Sequence, residues 1–255
     1  MFGFLFSLSS FFYLVFSLMH THPFHLVSTS PWPLLASISS LMFTSGLVIW
    51  FTYSSLFYLF LGLFCLLLVL FFWFRDIISE ATYFGSHTIR VQSGLRLGMC
   101  LFIVSEVFFF FGFFWAYLHS ASSPAVEIGS LWPPKGLTSL SALGLPLLNT
   151  FLLLTSGATV TFSHTSLVRS KFLHAVTGLL FTLGLGFAFL IFQLQEFKLC
   201  SFCISDSVYG SCFFLLTGFH GFHVLLGTLF LLESYFRLIL RHFNSSRHLN
   251  FTVAI

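Results

Sequence analysis

LFIVSEVFFFFGFFWAYLH, residues 101–119, decides how this chain is read. It is one apolar run, dense in phenylalanine, with a single carboxylate, Glu106, near its middle. Only helices and closed barrels satisfy their own backbone in lipid, and a run of this length suits a membrane-spanning helix. A charge at the centre of such a helix costs about 3 kcal/mol or more unless it is paired or neutralised. Glu106 therefore has a partner, carries a proton, or lines a wet cavity.

The rest of the chain has the same character. Its 255 residues are 57% hydrophobic, 20% aromatic and 7% charged, with a mean hydropathy of +1.00. Soluble domains carry about 25% charged residues. This composition excludes a soluble globular protein and implies an all-α integral membrane helix bundle. The net charge of +3 is small and the bases are scattered, so nucleic acid is not an expected partner.

Working outward from Glu106, six secure spans are expected at about 34–51, 56–74, 95–117, 143–162, 172–192 and 208–236. Residues 1–19 form an apolar extension that leaves three fates open: an extra helix, an interfacial segment or a removed leader. Residues 20–255 form the membrane domain proper. Pro31, Trp32 and Pro33 open the first secure span, and the short turn after it makes the second span its antiparallel neighbour. Arg75 and Asp76 are expected to end the second span, and Glu196, Lys198 and Asp206 to fall in a loop. Gly94, Gly98, Ser105 and Gly112 form a small-residue stripe on the third span that suits close helix contact. With His25 placed on one face, Arg75, Arg90, Arg96, Arg169, Lys171, Arg237, Arg241 and Arg247 share that face, and Lys135 and Lys198 lie opposite. The basic face is the cytoplasmic one or its organellar equivalent.

Few residues carry chemistry. No Lys or Arg stands inside another span as a counter-ion for Glu106, and Glu233 is a second acid, so a neutral Glu106 is favoured over an ionised one. His220 and His223 are three apart on the sixth span; haem or copper ligation is the sharp reading, hydrogen-bonded structural histidine the favoured one. His20, His22 and His25 cluster at the basic face and suit either proton collection or a solvated tail. Cys200 and Cys203 have redox spacing but no second pair. Arg75, Arg96 and Arg237 sit at span ends, where arginine suits phosphate recognition or simple anchoring. Two functions compete on this basis: a transporter or channel using Glu106, and a packing or lipid-binding subunit of a larger complex. The absence of internal repeats and broken helices favours the second.

Nine motifs then carry a resemblance: HPFHLV (22–27), SPWP (30–33), RDIISE (75–80), VQSGLR (91–96), residues 101–119, WPP (132–134), PLLNT (146–150), SDSVYG (205–210) and TGFHGFHV (217–224). In this order and spacing, the chain resembles subunit III of cytochrome c oxidase in its mitochondrial form. The resemblance implies two helices set apart from four by a lipid-filled cleft, and a non-redox role beside subunits I and II. It implies no metal and no catalytic group in this chain, with haem a and copper in partner subunits and phospholipids bound here. Glu106 matches the family's intramembrane carboxylate. Trp50, Glu80, His87, Arg96, His223 and Arg237 match lipid contacts, and His20, His22 and His25 fall near the proton-uptake entrance. The family's last helix has no counterpart after Phe251, Thr252 replaces an expected Glu, and a small accessory subunit is the expected substitute for that helix. The implied location is the mitochondrial inner membrane, with the basic loops and C-terminus on the matrix side.

Overall fold

The computed structural model describes residues 23–255. Among these, the elements run α1 (Trp32–Tyr53), α2 (Phe57–Thr82), α3 (Ile89–Ser122), a single-turn 3-10 helix (Val126–Ile128), α4 (Leu145–Val168), α5 (Phe172–Leu199), α6 (Val208–Ile239) and α7 (Leu249–Ala254). Six of them, α1 to α6, are long and apolar enough to cross a membrane, and no strand is present among the described residues. The chain is an all-α, multi-pass membrane protein. The readings placed on residues 1–19, His20 and His22 fall outside the described residues.

The described residues form two compact units, one up to residue 95 and one from residue 96 to 255. In the first, α1 and α2 pair as an antiparallel hairpin. Two glycines permit the close approach: a Cβ on Gly46 would stand 2.7 Å from the Leu59 Cα, and one on Gly62 would stand 2.5 Å from the Phe43 backbone nitrogen. The open end of the hairpin is latched. Trp32 donates its indole N–H to Asp76 Oδ2 at 2.6 Å and stacks on Phe72 at 5.7 Å. Arg75 pairs with Asp76 at 3.0 Å.

These contacts correct one expectation. Arg75 and Asp76 end the apolar run but not the helix, which continues to Thr82. Charged side chains that pair with each other and with Trp32 leave the backbone hydrogen bonding undisturbed. Glu196 and Lys198 likewise belong to α5 rather than to a loop, and Glu196 is buried. Hydropathy reports where the bilayer would end, and helices can continue past that point.

The second unit is built on α4, α5 and α6. Ser163 donates its hydroxyl to the Ala175 carbonyl at 2.6 Å, and the Thr159 and Thr182 hydroxyls meet at 2.8 Å. Gly178 lies over Ser163, and Gly186 lies over the Thr228 methyl. Val160, Leu167, Ala175, Leu179, Leu238 and Phe251 form the buried core. Phe251, fully buried, comes from α7, so the last residues are part of the packed structure. The stripe on α3 behaves differently: nothing lies within 4 Å of a Cβ placed on Gly94, Gly98 or Gly112. The expected helix contact through that stripe is not made among the described residues.

Candidate functional site

Glu106 has a partner, and it is one the sequence did not pair with it. Its Oε2 lies 2.5 Å from His223 Nε2, joining α3 to α6. The other ring nitrogen, Nδ1, lies 2.6 Å from the Phe219 carbonyl oxygen one turn earlier in α6. A carbonyl oxygen only accepts, so Nδ1 carries a proton and donates. Two states remain for the other nitrogen. Either the protonated carboxyl donates to Nε2, or a doubly protonated imidazole donates to the carboxylate. In both, the pair has zero net charge, which suits an apolar setting.

Aromatic rings enclose the pair. Phe110 lies 5.2 Å and Phe109 6.4 Å from the His223 ring. Phe109 also meets Phe219 edge-on at 4.9 Å, and Phe113 packs on Phe219 at 5.5 Å. The phenylalanine-rich stretch thus packs around the polar contact it contains. The carboxylate and imidazole side chains keep 28% and 31% exposure, so the pair is half-covered.

His220 turns elsewhere. Its ring meets Phe189 of α5 edge-on at 5.5 Å, so the two histidines of the TGFHGFHV motif address different helices. They do not converge as a ligand pair. Cys200 and Cys203 are free thiols, and burial, aided by the Glu196 carboxylate, pushes the Cys200 thiol up. A raised thiol is a poor nucleophile and a poor metal ligand.

A second polar cluster lies at the end of α6. Arg237 Nη1 is 3.5 Å from Glu233 Oε1, and its guanidinium lies 4.8 Å above the Phe243 ring. Asn250 donates to the other oxygen of Glu233 and, at 3.3 Å, to Ser234 Oγ. Glu233 therefore has a counter-ion four residues away on its own helix, the spacing at which an acid–base pair faces itself.

The remaining sequence-flagged residues divide by unit. In the first, Trp50 stands near the closed end of the hairpin, while Glu80 is in the last turn of α2, about 35 Å along that helix from its start. These two cannot touch one headgroup. Glu80, His87 and His25 do come together, with ligating atoms all within 4.8 Å of one another and the two imidazole rings 6.0 Å apart. In the second unit, Arg96 is exposed near the start of its α3 segment. A groove of about 430 Å³, lined by Phe114, Tyr117, Leu118, Tyr209, Phe213, Leu216 and Thr217, opens beside α6.

Six membrane-length helices among the described residues, one carrying a carboxylate that meets a histidine of another, define a multi-pass helical membrane protein. The family model for cytochrome c oxidase subunit III matches residues 22–255, and the chain belongs to that family. It is 51% identical over 235 residues to cytochrome c oxidase subunit 3 of Patiria pectinifera, covering 92% of this chain and 90% of that one. It is 50% identical over 234 residues to the protein of the same name from Didelphis virginiana, covering 92% and 83%. The Canis lupus protein is 49% identical over 234 residues, covering 92% and 90%.

Proposed function

We propose that this chain is the non-redox subunit III of a respiratory haem-copper cytochrome c oxidase in the mitochondrial inner membrane. It packs on subunit I near subunit II, holds phospholipid, and supports proton uptake and durable turnover. Haem a and copper belong to the partner subunits. The observation that carries this reading is α3. None of its residues from Ile89 to Ser122 is buried, yet its one carboxylate turns inward to His223. A helix that pairs its one carboxylate with a neighbouring helix and leaves its apolar faces uncovered is made to be covered by lipid or by another membrane protein. A carrier using Glu106 would instead need that carboxylate to face a changing aqueous path.

Phospholipid is the second element of the proposal. The apolar groove beside α6 suits an acyl chain, and Arg96 and Trp50 offer a guanidinium and an interfacial ring to headgroups. Glu80, His87, His223 and Arg237 complete the contacts, the last two with their links to Glu106 and Glu233 in place. The basic face lies on the matrix side, and His25 stands there beside the proton-uptake surface of subunit I.

The test is depletion of this chain from the purified oxidase. The expected outcome is an unchanged initial rate of oxygen reduction, faster inactivation during sustained turnover, and less retained phospholipid. Arg237→Leu should lower the lipid content by itself. An oxidase lacking the chain that turns over as long as the complete complex and keeps its phospholipid would overturn the proposal.

A further inference from the structure

In the first unit, two imidazoles and a carboxylate converge from three separate places. His25 precedes α1, Glu80 lies in the last turn of α2, and His87 lies in the turn that leads to α3. Their side chains are each half-buried. Hydrogen bonds to backbone carbonyls around the three residues hold the arrangement. The Ser86 N–H donates to the Glu80 carbonyl at 3.0 Å, folding the turn back over the end of α2. Gln92 donates its side-chain amide to the His87 carbonyl at 2.9 Å. The Thr88 hydroxyl donates to the Pro23 carbonyl, which fixes the segment bearing His25 against the same turn.

We propose that His25, Glu80 and His87 form a binding site for a divalent transition-metal cation of the Zn²⁺ type, which clamps the segment before α1 to the α2–α3 turn. Two neutral imidazoles and one carboxylate are the donor set of three-ligand zinc sites with an open fourth position. Imidazole donors disfavour Mg²⁺ and Ca²⁺, which prefer oxygen. The ligand atoms of a tetrahedral zinc stand about 3.4 Å apart, so three atoms within 4.8 Å of one another need to move at most about 0.8 Å each to close on a metal. That movement lies within side-chain rotation. The carbonyl end of α2 adds negative potential beside Glu80, favouring a cation. The site stands on the geometry of this unit and does not depend on the oxidase reading.

The experiment titrates the intact purified complex with Zn²⁺ alone, by equilibrium dialysis, and compares it with His25→Gln, Glu80→Gln and His87→Asn complexes. The expected result is one equivalent of zinc whose affinity falls at least about tenfold in each variant. His87→Cys, which restores a ligand, should keep that equivalent. Hydrogen exchange on the unaltered complex gives a readout independent of variant assembly: Zn²⁺ should slow exchange in residues 23–29 and 83–88. Unchanged zinc binding in the three variants, or zinc that slows exchange in neither segment, would overturn the proposal. So would a loss confined to one variant, since a three-ligand site requires all three.

Discussion

Glu106→Gln and His223→Phe should differ sharply, although both remove one member of the same contact. Because Nδ1 is committed to the Phe219 carbonyl, a neutral His223 offers only a lone pair at Nε2, 2.5 Å from the Glu106 oxygen. A glutamine amide N–H can donate to that lone pair as a protonated carboxyl does. The expected cost is below about 1 kcal/mol, the range of an exchanged hydrogen bond within a membrane. His223→Phe leaves a half-covered carboxyl with no acceptor or donor among the rings of Phe109 and Phe110. Stranding such a group costs about 1–3 kcal/mol. The coupling between the two positions, read from a double-mutant cycle, should be about 0.6–1.7 kcal/mol. The assay is thermal unfolding of the purified complex, followed by release of this chain. Infrared spectra add a direct test: the C=O stretch of a protonated carboxyl should disappear in Glu106→Gln. If Glu106→Gln costs as much as His223→Phe and no protonated carboxyl band is lost, the pair is an ion pair and the neutral assignment fails.

Three further outcomes follow from packing. Gly62→Ala should loosen the α1–α2 hairpin by about 1–3 kcal/mol, because its Cβ would meet the Phe43 backbone at 2.5 Å; protease resistance of the hairpin in the assembled complex measures this. Gly186→Ala should be destabilising because the added Cβ would run into the Thr228 methyl, and Thr228→Ser should recover part of the loss, whereas Gly184→Ala, with nothing within 4 Å, should be silent in the same melting assay. Asn250→Asp would set a second carboxylate against Glu233 and should release α7, exposing Phe251, with a loss of about 1–3 kcal/mol; Asn250→Ala should cost less, and proteolysis after residue 240 distinguishes them.

The fold was legible because each span is a long apolar run, and a run needs no partner to be recognised. The contacts between spans were less so. Glu106 and His223 are both conspicuous in the sequence, but 117 positions separate them and hydropathy carries no interhelical register. The partner of Glu106 need not be Lys or Arg, because an imidazole can share the carboxyl proton. The Glu233–Arg237 pair follows from its spacing of four on one helix. The glycines teach a similar lesson. The repeated ones on α3 meet nothing, while Gly46 and Gly62, solitary on their helices, sit where two backbones touch. A stripe marks room for approach, not the presence of a neighbour. His25, Glu80 and His87 converge only because the turn after α2 folds back, a geometry set by hydrogen bonds to the Glu80 and Pro23 carbonyls rather than by any motif.

The Glu106–His223 contact has an electrical consequence. Shifting its proton from one partner to the other moves a unit charge by at most 2.5 Å. Across a hydrocarbon core of about 30 Å that is roughly a twelfth of the membrane field. A potential of 100 mV acts on a full crossing with about 2.3 kcal/mol, so it biases this shift by about 0.2 kcal/mol at most. That is less than thermal energy. Charging or discharging the membrane therefore leaves the sharing of this proton between α3 and α6 almost unchanged.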